Sequence, residues 1–181
     1  MKRIKKLLSS TALLAVIAAL AGCVTTGSAI DTSANESLQN FRSQVNGGQV
    51  FLDQAAGYLV FPRVLKAGIG IGGETGEGVL RVGGSTVGYY RVAAGSVGLQ
   101  FGAQAKSIVI AFMTRDALTR FRNSEGWRVG VDGSVALIDL GAGKTIDTDN
   151  VRDPVVGFIF GSKGLMYNLT LEGTKFTKID R

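Results

Sequence analysis

The chain has no histidine, one cysteine and two prolines among 181 residues, and only 19% of it is charged. Each shortage closes off a class of function. Without histidine there is no Ser-His-Asp or Cys-His relay, and with a single thiol besides, the usual zinc sites cannot be assembled. A lone cysteine cannot close an intramolecular disulfide. Low charge together with 45% hydrophobic content fits one compact domain and not a disordered chain. Neither Ser-x-x-Lys nor Gly-x-Ser-x-Gly occurs, which removes two further nucleophile motifs. Catalysis would then fall to carboxylates. Glu74 and Glu77 stand in a stretch read as an exposed glycine turn, where carboxylates keep ordinary acidity and make poor acid catalysts. Asp147, Asp149, Asn150 and Asp153 cluster in a polar stretch, but without the glycine and distant glutamate of a calcium loop. The chain is read as a non-enzyme that needs no metal and no cofactor.

The net charge of +6 misleads. Four of the 20 basic residues are Lys2, Arg3, Lys5 and Lys6, which leaves 16 against 14 acidic ones elsewhere. These four form the n-region of an export signal over residues 1–22, with Thr11 to Ala21 as its short apolar segment. That segment is shorter than the ~20 residues a spanning helix needs. A nearly neutral mature chain gives no electrostatic case for a nucleic-acid partner. The signal ends Leu20-Ala21-Gly22-Cys23, which resembles the bacterial lipobox. The resemblance implies acylation of Cys23, by palmitate-type chains among others. Acyl chains contribute about 0.8 kcal/mol per buried CH₂, and two or more anchor stably. Val24 in place of aspartate after the cysteine implies sorting to the outer membrane, facing the periplasm. Residues 23–34 are small and polar and read as a lipidated, flexible tether.

The folded domain is expected over 35–181. Ser33 and Glu36 have capping-box spacing, and Leu38, Phe41 and Val45 follow at helical intervals. Asn46-Gly47-Gly48 ends that helix, and a second short one covers Gln49 to Ala56. The first helix reads either as a membrane-surface amphipath or as a helix laid over a sheet, and a lone arginine on its polar side favours the sheet. Val87 to Val92 and Val97 to Phe101 alternate as strands, and Ser107 to Phe112 is a continuous apolar run suited to burial on both faces. Thr114 caps a helix to about Arg122, with Leu118 and Phe121 inward. Strand signals follow over Trp127–Leu137, broken at Asp132-Gly133, then over Val155–Phe160 and Leu165–Leu171, with a turn at Gly161-Ser162-Lys163-Gly164.

The stretch from Leu59 to Gly84 organises the rest. Leu59, Val60 and Phe61 run into Pro62, then come Arg63 and Lys66, then glycine and isoleucine alternate from Gly68 to Gly72. A period of two signals a strand, and interior glycine marks close approach by another backbone. No phosphate-loop spacing is present, and Lys66 precedes the glycines. Glu74 to Gly78 reads as a turn, after which Val79 to Val82 returns as the second arm of a hairpin.

Phe61-Pro62-x-Val64-x-Lys66-Ala67-Gly68 followed by Gly72-Gly73-x-x-Gly76-x-Gly78-Val79-Leu80 resembles the SYLF lipid-binding domain. Gly95 to Gln104 with Phe112-Met113 and Ala117-Leu118-x-x-Phe121 fits the same family, as does Gly164-Leu165 leading to Leu171-Glu172-Gly173. The resemblance spans about Gln49 to Asp180. It implies a lipid- or membrane-binding module of the envelope, with Arg63 and Lys66 as candidate contacts to anionic headgroups. The same two residues also read as solvated charge flanking a strand. The alternative is a structural or protein-interaction lipoprotein without a lipid ligand, its protein partner unknown. The expected fold is α+β and mainly antiparallel β: a strongly curved sheet or partial barrel with two or three short helices packed on it.

Overall fold

The structure is a computed structural model, and it describes residues 25–139, 152–164 and 171–181. The expected export signal, Cys23 and the cluster Asp147, Asp149 and Asn150 lie outside these, as does most of the expected strand Leu165–Leu171.

The elements in chain order are α1 (Gly27–Gln44), α2 (Gly48–Gln54), β1 (Gly57–Val82), β2 (Ser85–Phe112), α3 (Arg115–Asn123), β3 (Trp127–Arg128), β4 (Ala136–Asp139), β5 (Val155–Gly164) and β6 (Lys175–Ile179). The six strands make one sheet in the order β3-β6-β2-β5-β4, with β1 paired to β2. All pairings are antiparallel except β4 with β5. The sheet is open and curls into a half-barrel, as the glycine pattern led us to expect.

β1 and β2 form one long ribbon, and this corrects the expected hairpin. Glu74 to Gly78 is not a turn. It is extended and pairs with Ala94 to Tyr90. The turn lies instead at Gly83-Gly84, between the partners Val82 and Ser85, with φ of +57° and +80°. Two positive φ values in a two-residue loop match the twist of the flanking strands. Three register shifts bend the ribbon, between Phe61 and Val64, Ile69 and Ile71, and Leu80 and Arg81. The first falls at Pro62, where the missing N–H costs no ladder bond. There the Ser107 hydroxyl donates to the Pro62 carbonyl at 2.8 Å.

Inner-face glycines then let β1 fold against itself. A Cβ on Gly78 would stand 2.2 Å from the Val60 carbonyl oxygen, and one on Gly76 would stand 2.6 Å from that of Arg63. The close approach expected of the glycines is therefore real: it occurs within the Gly68–Gly72 run, where a Cβ on Gly68 would stand 2.4 Å from the Gly72 Cα, and again farther along the strand at Gly76 and Gly78. Ile71 in that run is 75% exposed.

Both faces of the sheet are covered. Inside the curl, Leu59, Phe61, Ile108, Ile110 and Phe112 pack with Leu118 and Phe121 of α3 and with Trp127 and Phe176. Outside it, Val60, Val109, Ala111 and Phe158 meet Leu38 and Phe41 of α1 and Phe51 of α2. The apolar run of β2 thus sends alternate residues into two cores, as a doubly buried strand should. The Phe41 and Phe51 rings meet Phe158 edge-on at 5.2 and 5.0 Å.

α1 begins earlier than the capping-box spacing indicated. Thr26 is its N-cap and accepts from the Ala29 amide at 3.3 Å, so Ser33 and Glu36 lie mid-helix. Residues 27–34, expected as tether, are helical. The physical reason is Ile30 and Ala34, which are buried and carry the apolar stripe of Leu38 and Phe41 two turns back. α3 has the expected cap, Thr114, accepting from Ala117 at 3.2 Å. β5 runs through the expected turn at Gly161–Gly164, with a kink at Gly161, whose φ is +63°. β6 was not anticipated. It pairs with Tyr89–Ala93 of β2 and buries Phe176.

Candidate functional site

A cleft of about 590 Å³ opens where the first bulge of the ribbon meets α1 and β5. Asn40 and Gln44 of α1 form one wall, Pro62 and Arg63 of β1 another, and Ser107 and Phe160 are part of its lining. The Pro62 bulge turns Arg63 outward, so its guanidinium is exposed at this cleft.

Arg63 and Lys66 are not brought together. Arg63 lies on the outer, exposed side of the ribbon, whereas Lys66 is 5% exposed and points inward. Lys66 stands across from Gln104, and Val64 across from Lys106. With Glu74 these make a polar group inside the curl: Lys66, Glu74, Gln104 and Lys106 are all buried. Lys106 Nζ lies 2.9 Å from Glu74 Oε1 and donates to Oε2 at 3.0 Å. Lys106 also belongs to the lining of the cleft, but its side chain has 0% exposure, so its ammonium is reserved for Glu74.

Glu74 is therefore not the exposed turn carboxylate expected from the sequence. It is inside the curl, whereas Glu77 sits on the outer side between Arg91, at 2.8 Å, and Arg181. Partial burial works to raise the Glu77 pKa, but hydrogen bonds and charge from Arg181 and Arg91 outweigh it and hold the carboxyl below its ordinary range. The two carboxylates face opposite ways and do not converge. Among the described residues no group of three or more His, Cys, Asp or Glu could hold a metal.

A second polar assembly clamps α1 to the ribbon. Asp31 accepts from Arg81 at 3.0 Å, Thr86 at 2.5 Å and Tyr89 at 2.8 Å. Burial tends to raise the Asp31 pKa, yet the hydrogen bonds from Thr86 and Tyr89 and the Arg81 charge leave it lowered. The helix expected either at a membrane or over the sheet is thus pinned over the sheet. Among the described residues no helix is long and apolar enough to cross a membrane. On α3, Arg122 lines a small polar pocket of about 170 Å³ with Tyr90, Thr119, Asn123 and Lys178.

Residues 93–180 match the family model Ysc84, described as Las17-binding protein actin regulator. This is the domain that the SYLF resemblance names. The Ysc84 match covers the second half of β2, α3 and β3 to β6, including Gln104 and Lys106. The glycine motif of β1, with Arg63 and Lys66, precedes it. No curated protein matches the chain.

Gln104 and Lys106 escaped the sequence reading. The signal was available: they continue the inward alternation of Ile108 and Ile110 by two steps. Polar residues at those steps read as the outer face of a strand until the curl of β1 is known.

Proposed function

We propose that this protein is a non-catalytic lipid- or membrane-binding lipoprotein of the cell envelope. Acyl chains on Cys23 hold it in the outer membrane, facing the periplasm, and α1 follows within a few residues of the anchor. The observation that carries the reading is the cleft beside α1, polar along Asn40 and Gln44, apolar at Phe160, with the Arg63 cation at its mouth. Such a combination suits an anionic headgroup above an acyl chain. The Ysc84 match supports it through the SYLF resemblance. Binding of Las17 belongs to the description of that family and is not carried to this chain.

Two measurements test it. Mass spectrometry of the mature natural protein should show an acylated Cys23, and an unmodified thiol refutes the anchor. A leaderless Cys23→Ser form, residues 23–181, should float with phosphatidylglycerol vesicles at low salt and should not do so with phosphatidylcholine vesicles. Arg63→Gln should reduce flotation severalfold. Equal recovery with both vesicle types, or none, would refute the headgroup contact.

A further inference from the structure

Two cations from different elements line one small pocket, and neither is answered by the chain. Arg122 comes from the last turn of α3 and Lys178 from β6. Both line the pocket of about 170 Å³, together with Val87, Tyr90, Thr119 and Asn123. No carboxylate is among its described lining residues. Among the described residues neither cation has an ion pair or a side-chain hydrogen bond. Their neighbours differ: Arg120 on the same helix is held by Asp116, and Arg181 beyond the end of β6 is held by Glu77. Two like charges at one pocket repel each other, and an anion between them relieves both.

The pocket is shaped to take one. Thr119, Arg122 and Asn123 stand at i, i+3 and i+4 on one face of α3. β6 sets Lys178 across from Tyr90 of β2. The Tyr90 ring is fixed in the core against Phe121, with centroids 5.0 Å apart. Its hydroxyl has no hydrogen bond in the chain and opens to the pocket. Burial pushes the Tyr90 pKa up, against the pull of the Arg122 charge, so the phenol is an O–H donor at neutral pH. Asn123 adds an amide, whereas the Thr119 hydroxyl already donates to the Arg115 carbonyl at 2.8 Å. Gly88 keeps the space free: a Cβ there would stand 3.3 Å from the Tyr90 ring and 3.7 Å from Lys178 Cε.

The charges specify the ligand. A carboxylate or a phosphodiester brings one negative charge and leaves one cation unanswered. A phosphate with one ester substituent, or none, carries about −1.5 to −2 and at least three acceptor oxygens. It matches both cations and has oxygens left for Tyr90 and Asn123. The volume admits such a group without an acyl chain beside it.

We infer that Arg122, Lys178, Tyr90 and Asn123 form a binding site for a phosphate dianion, between α3 and β6 and sharing no residue with the Arg63 cleft. The dianion is either free phosphate or the terminal phosphate of a monoester headgroup such as phosphatidate. The inference rests on the lipid-binding reading only in the second case.

The test is thermal melting of the leaderless Cys23→Ser form, which keeps every described residue, in low millimolar phosphate against chloride at matched ionic strength. This parent should melt higher in phosphate. Arg122→Gln and Lys178→Met replace exposed side chains, so both should melt close to the parent in chloride. Each should weaken phosphate binding about tenfold or more. Gly88→Val keeps both charges, at a glycine without positive φ, and should lose the response because its side chain fills the space. Arg63→Gln should keep the response, and its flotation with phosphatidylglycerol vesicles tests the cleft alone, so the two readings fail separately. Flotation with phosphatidate vesicles that Arg122→Gln abolishes and inorganic phosphate competes away assigns a headgroup. A melting response with flotation unchanged in Arg122→Gln assigns the free anion. Three results overturn the inference: no response of the parent to either form of phosphate, a response retained by Gly88→Val, or a response retained by both Arg122→Gln and Lys178→Met. The last would mark it as the general exclusion of phosphate from protein surfaces.

Discussion

Glu74 and Lys106 are 32 residues apart in sequence, yet their side chains meet at 2.9 Å with 6% and 0% exposure. The pair spans the curl: Glu74 belongs to the second half of β1, and Lys106 stands opposite Val64 of its first half. Removing one partner would strand the other's charge in the interior, a loss of about 3–5 kcal/mol. Glu74→Gln and Lys106→Met should each lower stability by that order in urea unfolding. The double variant Glu74→Leu with Lys106→Met should recover most of the loss, since two apolar side chains leave no charge behind. Single variants within about 0.5 kcal/mol of the parent, the range of ordinary surface changes, would show that water reaches the pair.

The glycines of β1 divide into those that close the curl and those that do not. Gly78→Ala would place a methyl 2.2 Å from a backbone oxygen, whereas Gly73→Ala would meet nothing within 4 Å. Backbone cannot rotate aside as a side chain can, so Gly78→Ala should cost at least about 1–3 kcal/mol, the range of core overpacking. Gly73→Ala should change stability little. Equal effects in chemical denaturation would mean that the curl relaxes to accept a methyl.

Asp31 ties helix to ribbon, and its lowered pKa makes that tie dependent on pH. A carboxyl depressed in the folded state stabilises fully above its unfolded pKa and loses that contribution as pH falls through the folded value. The Asp31 contribution should therefore be intact at neutral pH and fade on acidification below the ordinary aspartate range. Asp31→Asn should be less stable than the parent at pH 7, and the gap should narrow toward pH 2. A gap that stays constant across this range would assign the Asp31 effect to hydrogen bonding alone.

Much of this fold is written locally. Ile108 to Phe112 is apolar at every second residue and at those between, and it lies between two cores. Thr114 starts its helix where a side-chain acceptor precedes an apolar stripe. The Glu74–Gly78 stretch was misread because glycine serves two purposes that look alike in sequence. It permits turns, and it permits another backbone to approach. Only the Val60 and Arg63 carbonyls, 18 and 13 residues earlier, show which applies at Gly78 and Gly76. α1 starts at Thr26 and not at the capping-box spacing of Ser33, because burial of Ile30 and Ala34 extends the helix back past it. Of the candidate site, Arg63 was legible as a cation beside a proline. The inward turn of Lys66 was not, since the bulge that decides it depends on pairing with β2.

The Gly83-Gly84 loop sets the register on which the Asp31 clamp depends. Arg81 donates to the Gly84 carbonyl at 3.1 Å while its other nitrogen reaches Asp31 at 3.0 Å. Both glycines have positive φ, and a Cβ at either would meet nothing within 4 Å, so space is not what restricts them. Backbone conformation is. A β-branched residue in the left-handed region costs roughly 1–2 kcal/mol, whereas asparagine visits it readily. Gly83→Asn should therefore leave stability near that of the parent, and Gly83→Val should lower it by about that amount. Gly83→Val should also increase hydrogen exchange at the amides of Arg81 to Tyr89, because loosening the turn frees the ribbon end that holds α1. If asparagine and valine were equally harmful, the loop would be limited by a contact and not by its φ angles.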